Sequence, residues 1–95
     1  MSSLEIISAL KAEKKFLQKE FGMEEIGVFG SCARGDMDED SDLDIIVAMK
    51  ADYSLFAGLY LHLGKKYKHK IDLVHKGKHF SKRFINFIKA DVIYV

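Results

Sequence analysis

The alternation of apolar and polar positions opens with helical spacing. Leu4, Ile7, Leu10, Leu17 and Phe21 recur at steps of three, four and seven, with Lys11, Lys14, Lys15 and Lys19 between them. Ser2 and Glu5 have the spacing of a capping box, and Gly22 stands where a C-cap belongs. The pattern then shortens. Glu25 to Phe29 predicts a strand that stops at a Gly30-Ser31 turn, and Cys32 to Asp40 predicts an acidic loop with room for one helical turn. Leu43 to Met49 is β-branched and apolar, the pattern of a central strand buried on both faces. Helical spacing returns from Tyr53 to Lys66, with Leu55, Phe56, Leu59, Tyr60 and Leu63 as its inward stripe. Gly58 weakens that segment, since an interior glycine costs about 1 kcal/mol against alanine. Ile71 to Val74 predicts a third strand, Phe80 to Lys89 a last helix with Phe84, Phe87 and Ile88 inward, and Val92 to Val95 a terminal strand.

This order predicts an α/β fold, a small mixed β-sheet packed with helices. Too few residues separate the first two strands for a helical crossover, so they should run antiparallel. About twenty separate the second from the third, enough for a parallel right-handed crossover. The chain has no proline, repeat or linker, and residues 1–95 are expected to form a single domain.

Composition narrows the function classes. Apolar residues make up 48% and charged residues 31%, which is globular rather than disordered. No apolar run approaches the ~20 residues of a bilayer span, and no signal peptide is evident, so no membrane association is expected. The one cysteine, Cys32, permits no intrachain disulfide and no cysteine-based zinc site, and a reducing cytoplasm is the expected location. A net charge of +1 argues against nucleic acid as the primary partner. The charges are segregated, however. Eight of fourteen acids lie between Glu24 and Asp44, and nine of fifteen basic residues between Lys65 and Lys89. These are either two solvated surfaces or an acidic metal centre beside a cationic region that attracts phosphate.

Three features carry candidate chemistry. Gly30-Ser31-Cys32-Ala33-Arg34-Gly35 follows a strand directly. A glycine there allows a sharp turn and a close ligand approach, and free N–H groups with the Ser31 hydroxyl could meet phosphate. It lacks the glycine and lysine spacing of a P-loop, and alone it marks only a turn. Next, Asp42 and Asp44 are two apart at the start of a strand, so their carboxylates face one way. Such a pair repels unless a cation lies between them, and oxygen ligands of this kind suit Mg²⁺. A structural ion pair with Arg34 is the alternative. The third is Asp72, another acid inside an apolar strand. If its strand neighbours the second, the three acids converge near the glycine turn, a geometry suited to metal-assisted displacement at phosphorus.

At these residues the chain resembles the nucleotidyltransferase superfamily that includes DNA polymerase beta. Gly-Ser-Cys-Ala-Arg-Gly, Ser-Asp-Leu-Asp and Ile-Asp-Leu-Val together are similar to its minimal nucleotidyltransferase (MNT) branch, by motif from about Ile26 to Val74. The resemblance implies that Gly30 and Ser31 hold a nucleoside triphosphate. Asp42 and Asp44 would bind divalent metal, two Mg²⁺ ions with nucleotide, and Asp72 would be the third carboxylate. Arg34 has a motif position with two readings, neutralising phosphate or tying the loop to an acid. The implied reaction transfers AMP from ATP. In this family the MNT protein pairs as antitoxin with a helical HEPN ribonuclease and modifies its tyrosine.

The remaining residues are read more plainly. Cys32 occupies a variable position of the motif, and His62 is read as surface or packing. His69, His75 and His79 join the basic region, and Tyr53, Tyr60, Tyr67 and Tyr94 are expected at the core or its boundary. Two rival functions stay open. One is a binding module that masks its toxin without catalysis. The other is transfer to a small molecule or RNA end, with an acceptor site made by homodimerisation.

Overall fold

The computed structural model describes residues 1–76 and 91–95, so the expected helix at 80–89 and His79 lie outside the described residues. Helix α1 spans Ser3–Phe21. Ser2 caps it by accepting from the Glu5 amide while the Glu5 carboxylate accepts from the Ser2 amide, and Gly22 ends it at φ 66°. Strand β1 (Met23–Phe29) begins two residues before the expected position and runs into the single-turn helix α2 (Gly30–Arg34). Strand β2 (Leu43–Met49), helix α3 (Tyr53–Tyr67), strand β3 (Ile71–His75) and the two-residue β4 (Ile93–Tyr94) follow.

The strands form one sheet in the order β3-β2-β1-β4. β1 and β2 pair antiparallel and β2 and β3 parallel, as the connection lengths require. Strand alternation gives the sheet two unlike faces. Ile26, Val28, Leu43, Ile45, Val47 and Ile71 share a face and join Leu10 and Leu17 of α1 with Leu59 and Leu63 of α3 in the core. Asp44 and Asp72 fall on the other face, directly beside each other in the parallel register.

Two expectations about helix faces are corrected. The buried side of α1 is Ile6, Leu10, Glu13 and Leu17, whereas Leu4 is 77% exposed. The two stripes share Leu10 and Leu17, and Glu13 decides between them. Its carboxylate accepts a 2.7 Å hydrogen bond from the Tyr67 hydroxyl and lies 3.0 Å from both His62 Nε2 and Lys66 Nζ of α3. Burial pushes Glu13 up, but these donors outweigh it and hold the carboxyl below its ordinary value. On α3 the buried residues are Leu59, Leu63 and Tyr67, while Tyr60 turns partly to solvent. Of the four tyrosines only Tyr67 is core, and Tyr53 is 92% exposed. Gly58 earns its place in the helix because a Cβ there would press to 3.2 Å against the Phe21 ring.

Candidate functional site

The turn after β1 positions the first component. Gly30 takes φ +65°, a left-handed conformation that glycine adopts without steric cost, and this bends the chain out of the strand. Gly35 closes α2 at φ +81°, and the amides of Gly35 and Asp36 donate to the Ser31 carbonyl. Gly30 has a second reason to lack a side chain. A Cβ there would overlap the Asp44 carboxylate.

The acids arrive from two strands. Asp42 immediately precedes β2, Asp44 is its second residue, and Asp72 is the second residue of β3 and the direct neighbour of Asp44. An open cleft of about 510 Å³ collects Gly30, Ser31, Arg34, Asp42 and Asp44 in its lining. Asp72 stands beside Asp44 but outside that lining. Burial, followed by the charges of Asp72 and Asp42, raises the Asp44 carboxyl from 3.8 to about 6, against a smaller opposing pull from Arg34.

Both readings of Arg34 receive part of an answer. Its Nε lies 3.4 Å from Asp36 and its Nη1 3.9 Å from Asp91, so it ties the loop to acids rather than pairing with Asp42 or Asp44. Half its side chain stays exposed within the cleft wall, where an anion can reach it. Among the described residues no group of three or more His, Cys, Asp or Glu forms a ready-made metal cage. The donors around Asp44 are nevertheless all carboxylate oxygens under mutual repulsion, the chemistry that a hard dication relieves and that suits Mg²⁺.

Several residues at the site escaped sequence reasoning. Asp40, Ser41 and Asp91 also line the cleft. Ser41 is fixed locally, its hydroxyl donating to Asp38 Oδ1 at 3.0 Å while accepting from the Asp38 amide. His69 Nδ1 meets the Ser41 carbonyl at 2.9 Å, and His75 Nε2 meets the Met49 carbonyl at 2.7 Å. Two histidines read as members of a basic region therefore brace the ends of β2. His62 packs against Phe16 and Phe21 beside Glu13, as a packing residue should. Cys32 is buried, and burial raises its thiol, which opposes thiolate formation. Among the described residues no helix is long and apolar enough to cross a membrane.

Comparison with known proteins agrees with this geometry. The chain is similar to the protein adenylyltransferase MntA of Thermococcus cleftensis, 41% identical over 93 residues, covering 96% of this chain and 93% of the relative. A Methanocaldococcus jannaschii protein named as a candidate protein adenylyltransferase is 37% identical over 93 residues, covering 96% and 95% of the two. A solved structure described as a candidate minimal nucleotidyltransferase matches with a TM-score of 0.81 at 28% identity, over 98% of this chain and 95% of that one. A chain from a toxin–antitoxin structure with AMP-PNP shares the fold at TM-score 0.68 and 20% identity, over 99% of this chain and 72% of that one. The family model described as nucleotidyltransferase domain matches residues 10–95. With relatives of this kind aligned along nearly its whole length, the chain belongs to the nucleotidyltransferase domain family and is an enzyme of nucleotidyltransferase type.

Proposed function

We propose that this chain is a Mg²⁺-dependent adenylyltransferase that moves AMP from ATP to a hydroxyl of a partner protein. The partner is a HEPN-type helical toxin, and the modification makes this chain its antitoxin. The observation that carries the reading is the position of Asp44, crowded by Asp42 and Asp72 and facing a glycine whose missing side chain leaves it room. Two relatives carry adenylyltransferase names, and the cleft volume falls in the range of small-molecule sites.

In this reading Asp42, Asp44 and Asp72 would hold Mg²⁺, which when bound offsets their repulsion and polarises the phosphate oxygens. Gly30 keeps the approach to Asp44 open, and the Ser31 hydroxyl donates to the triphosphate. The Arg34 guanidinium adds positive charge at the cleft wall. Asp72, just outside the lining, receives the proton of the attacking hydroxyl. The acceptor oxygen then bonds to the α-phosphorus, the α–β phosphoanhydride bond breaks, and pyrophosphate leaves. Positioning and charge stabilisation supply most of such a rate, and a small scaffold is sufficient for both.

The test incubates the protein with α-labelled ATP and Mg²⁺, with and without the product of the neighbouring open reading frame as partner. Label on the partner, lost in Asp44→Asn, is expected. Transfer undiminished in Asp44→Asn would sink the reading. Protection against the toxin that survives in the same variant would favour masking instead.

A further inference from the structure

Of the three carboxylates Asp42, Asp44 and Asp72, only Asp42 lies outside the strand ladders. The pairing of β2 with β1 ends at Asp44, and its pairing with β3 begins at Leu43. The Asp42 side chain is exposed and shares a repulsion with Asp44, so left to itself it would turn out to water. Its backbone is held from the connection between α3 and β3. His69 Nδ1 donates to the Ser41 carbonyl at 2.9 Å, and the Leu43 amide donates to the Lys70 carbonyl at 2.8 Å. A carbonyl only accepts, so the first bond fixes a proton on Nδ1. Two consecutive residues thus grip the chain on either side of Asp42.

The turn before Asp42 is closed on itself. The Ser41 amide donates to the Asp38 carbonyl, and the Ser41 hydroxyl and Asp40 amide both donate to Asp38 Oδ1. The His69 bond ties the last carbonyl of this unit to the α3–β3 connection. That connection bears a steric cost. Helix α3 ends on Lys68 at φ 53°, a left-handed position ordinarily given to glycine, and no other non-glycine among the described residues has positive φ. Side chains held in such conformations gather at functional sites, and the residue that follows is His69. His69 does not line the cleft that collects Ser41, Asp42 and Asp44; it lines a separate one with Lys66 and Lys68.

We infer that His69 is a positioning residue for the transfer reaction, its hydrogen bond to the Ser41 carbonyl holding Asp42 at the spacing from Asp44 that a nucleotide-bound dication requires. This role rests on the proposed assignment of Asp42 and Asp44 to Mg²⁺. That ion demands near-octahedral oxygen ligands, so a carboxylate that swings away is lost to it rather than accommodated. Partners that orient a metal ligand in this way contribute about 10–100-fold in metal affinity or activity.

Calorimetric titration with Mg²⁺ and an ATP analogue carrying a methylene α–β bridge compares the wild-type chain with His69→Ala, His69→Asn and Asp44→Asn. His69→Ala is expected to bind at least about 10-fold more weakly. His69→Asn, whose amide nitrogen stands where Nδ1 stood and donates to the same carbonyl, should return to within about threefold of wild type. Wild-type affinity in His69→Ala, with binding lost in Asp44→Asn, overturns the role of His69 and leaves the metal assignment standing. Equal weakening in His69→Ala and His69→Asn also overturns it, since the hydrogen bond is then not the cause. Wild-type affinity in Asp44→Asn, or no binding by the wild-type chain, removes the metal assignment and this role with it. Nitrogen NMR of His69 in the unaltered chain at about pH 8 depends on no variant. A proton on Nδ1 supports the grip, and a proton on Nε2 alone, the usual tautomer in water, overturns it.

Discussion

Replacing Gly30 with alanine separates backbone strain from damage to the site, because Gly35 provides a matched control. Both glycines sit at positive φ, +65° and +81°. An alanine at either place bears the left-handed penalty of about 1–2 kcal/mol. In a domain of this size that lowers the melting temperature by roughly 5–15 °C. The surroundings differ. Nothing lies within 4 Å of a Cβ at Gly35, whereas a Cβ at Gly30 overlaps the Asp44 carboxylate. Asp44 must swing away or the α2 turn must back off by about 1 Å, and misplacement on that scale costs about 100-fold in rate. Initial rates of label transfer from α-labelled ATP, measured with melting curves, give both quantities. The expectation is two variants of similar stability, with transfer lost about 100-fold in Gly30→Ala and nearly kept in Gly35→Ala. Transfer rates within about threefold of each other would refute the link between the Gly30 contact and the chemistry.

The remaining predictions concern charge and packing. Without metal, Asp44→Asn should raise the melting temperature near neutral pH. A carboxyl raised from 3.8 to about 6 in the fold makes stability fall as pH rises between those values, and the full cost stands above about 6. That shift alone corresponds to about 3 kcal/mol, which solvent screening in the open cleft reduces to about 1–2 kcal/mol. Melting curves at pH 4 and pH 7.5 check it, and an equal effect at both would contradict the origin in charge. Millimolar Mg²⁺ with ATP should raise the melting temperature of the wild-type chain, by the equivalent of about 2.7 kcal/mol if ligand stands at 100 times Kd, and should not do so in Asp44→Asn. Glu13→Ala should cost about 2–3 kcal/mol, because it strands the buried Tyr67 hydroxyl, and urea titration measures this. With Glu13 held below its ordinary value, its contribution is present at neutral pH and lost as acid protonates it in the fold, so the deficit of the variant should shrink in strong acid.

Much of the fold was legible because it depends on spacing. The capping box at Ser2 and Glu5, the directions of the β1–β2 and β2–β3 pairs, and the common face of Asp44 and Asp72 follow from period and connection length. What was hidden depends on partners distant in sequence. Glu13 scores as polar in any periodicity, yet three donors on α3 place it at the centre of the buried face of α1. Asp91 reaches the cleft from the far end of the chain with no local signal, and His69 and His75 find backbone carbonyls more than twenty residues away. Tyr60 was assigned to the inward stripe and Tyr53 to the core or its boundary because an aromatic residue ordinarily goes there, yet both are exposed, and α3 presents more apolar surface than its core can use.

The parallel pairing of Asp44 with Asp72 bears on how the chain finds its structure. A slip of β3 by one residue would turn every one of its side chains to the opposite face, driving Asp72 in among Leu59, Leu63 and their neighbours while Ile71 or Leu73 took its place beside Asp44. A charge cannot be left unpaired in that interior, so the mispaired sheet is penalised far more heavily than a sheet without the acid would be. The carboxylates that crowd one another in the finished fold thus act as proofreaders of strand alignment, and a molecule that has passed their check has already assembled its cleft.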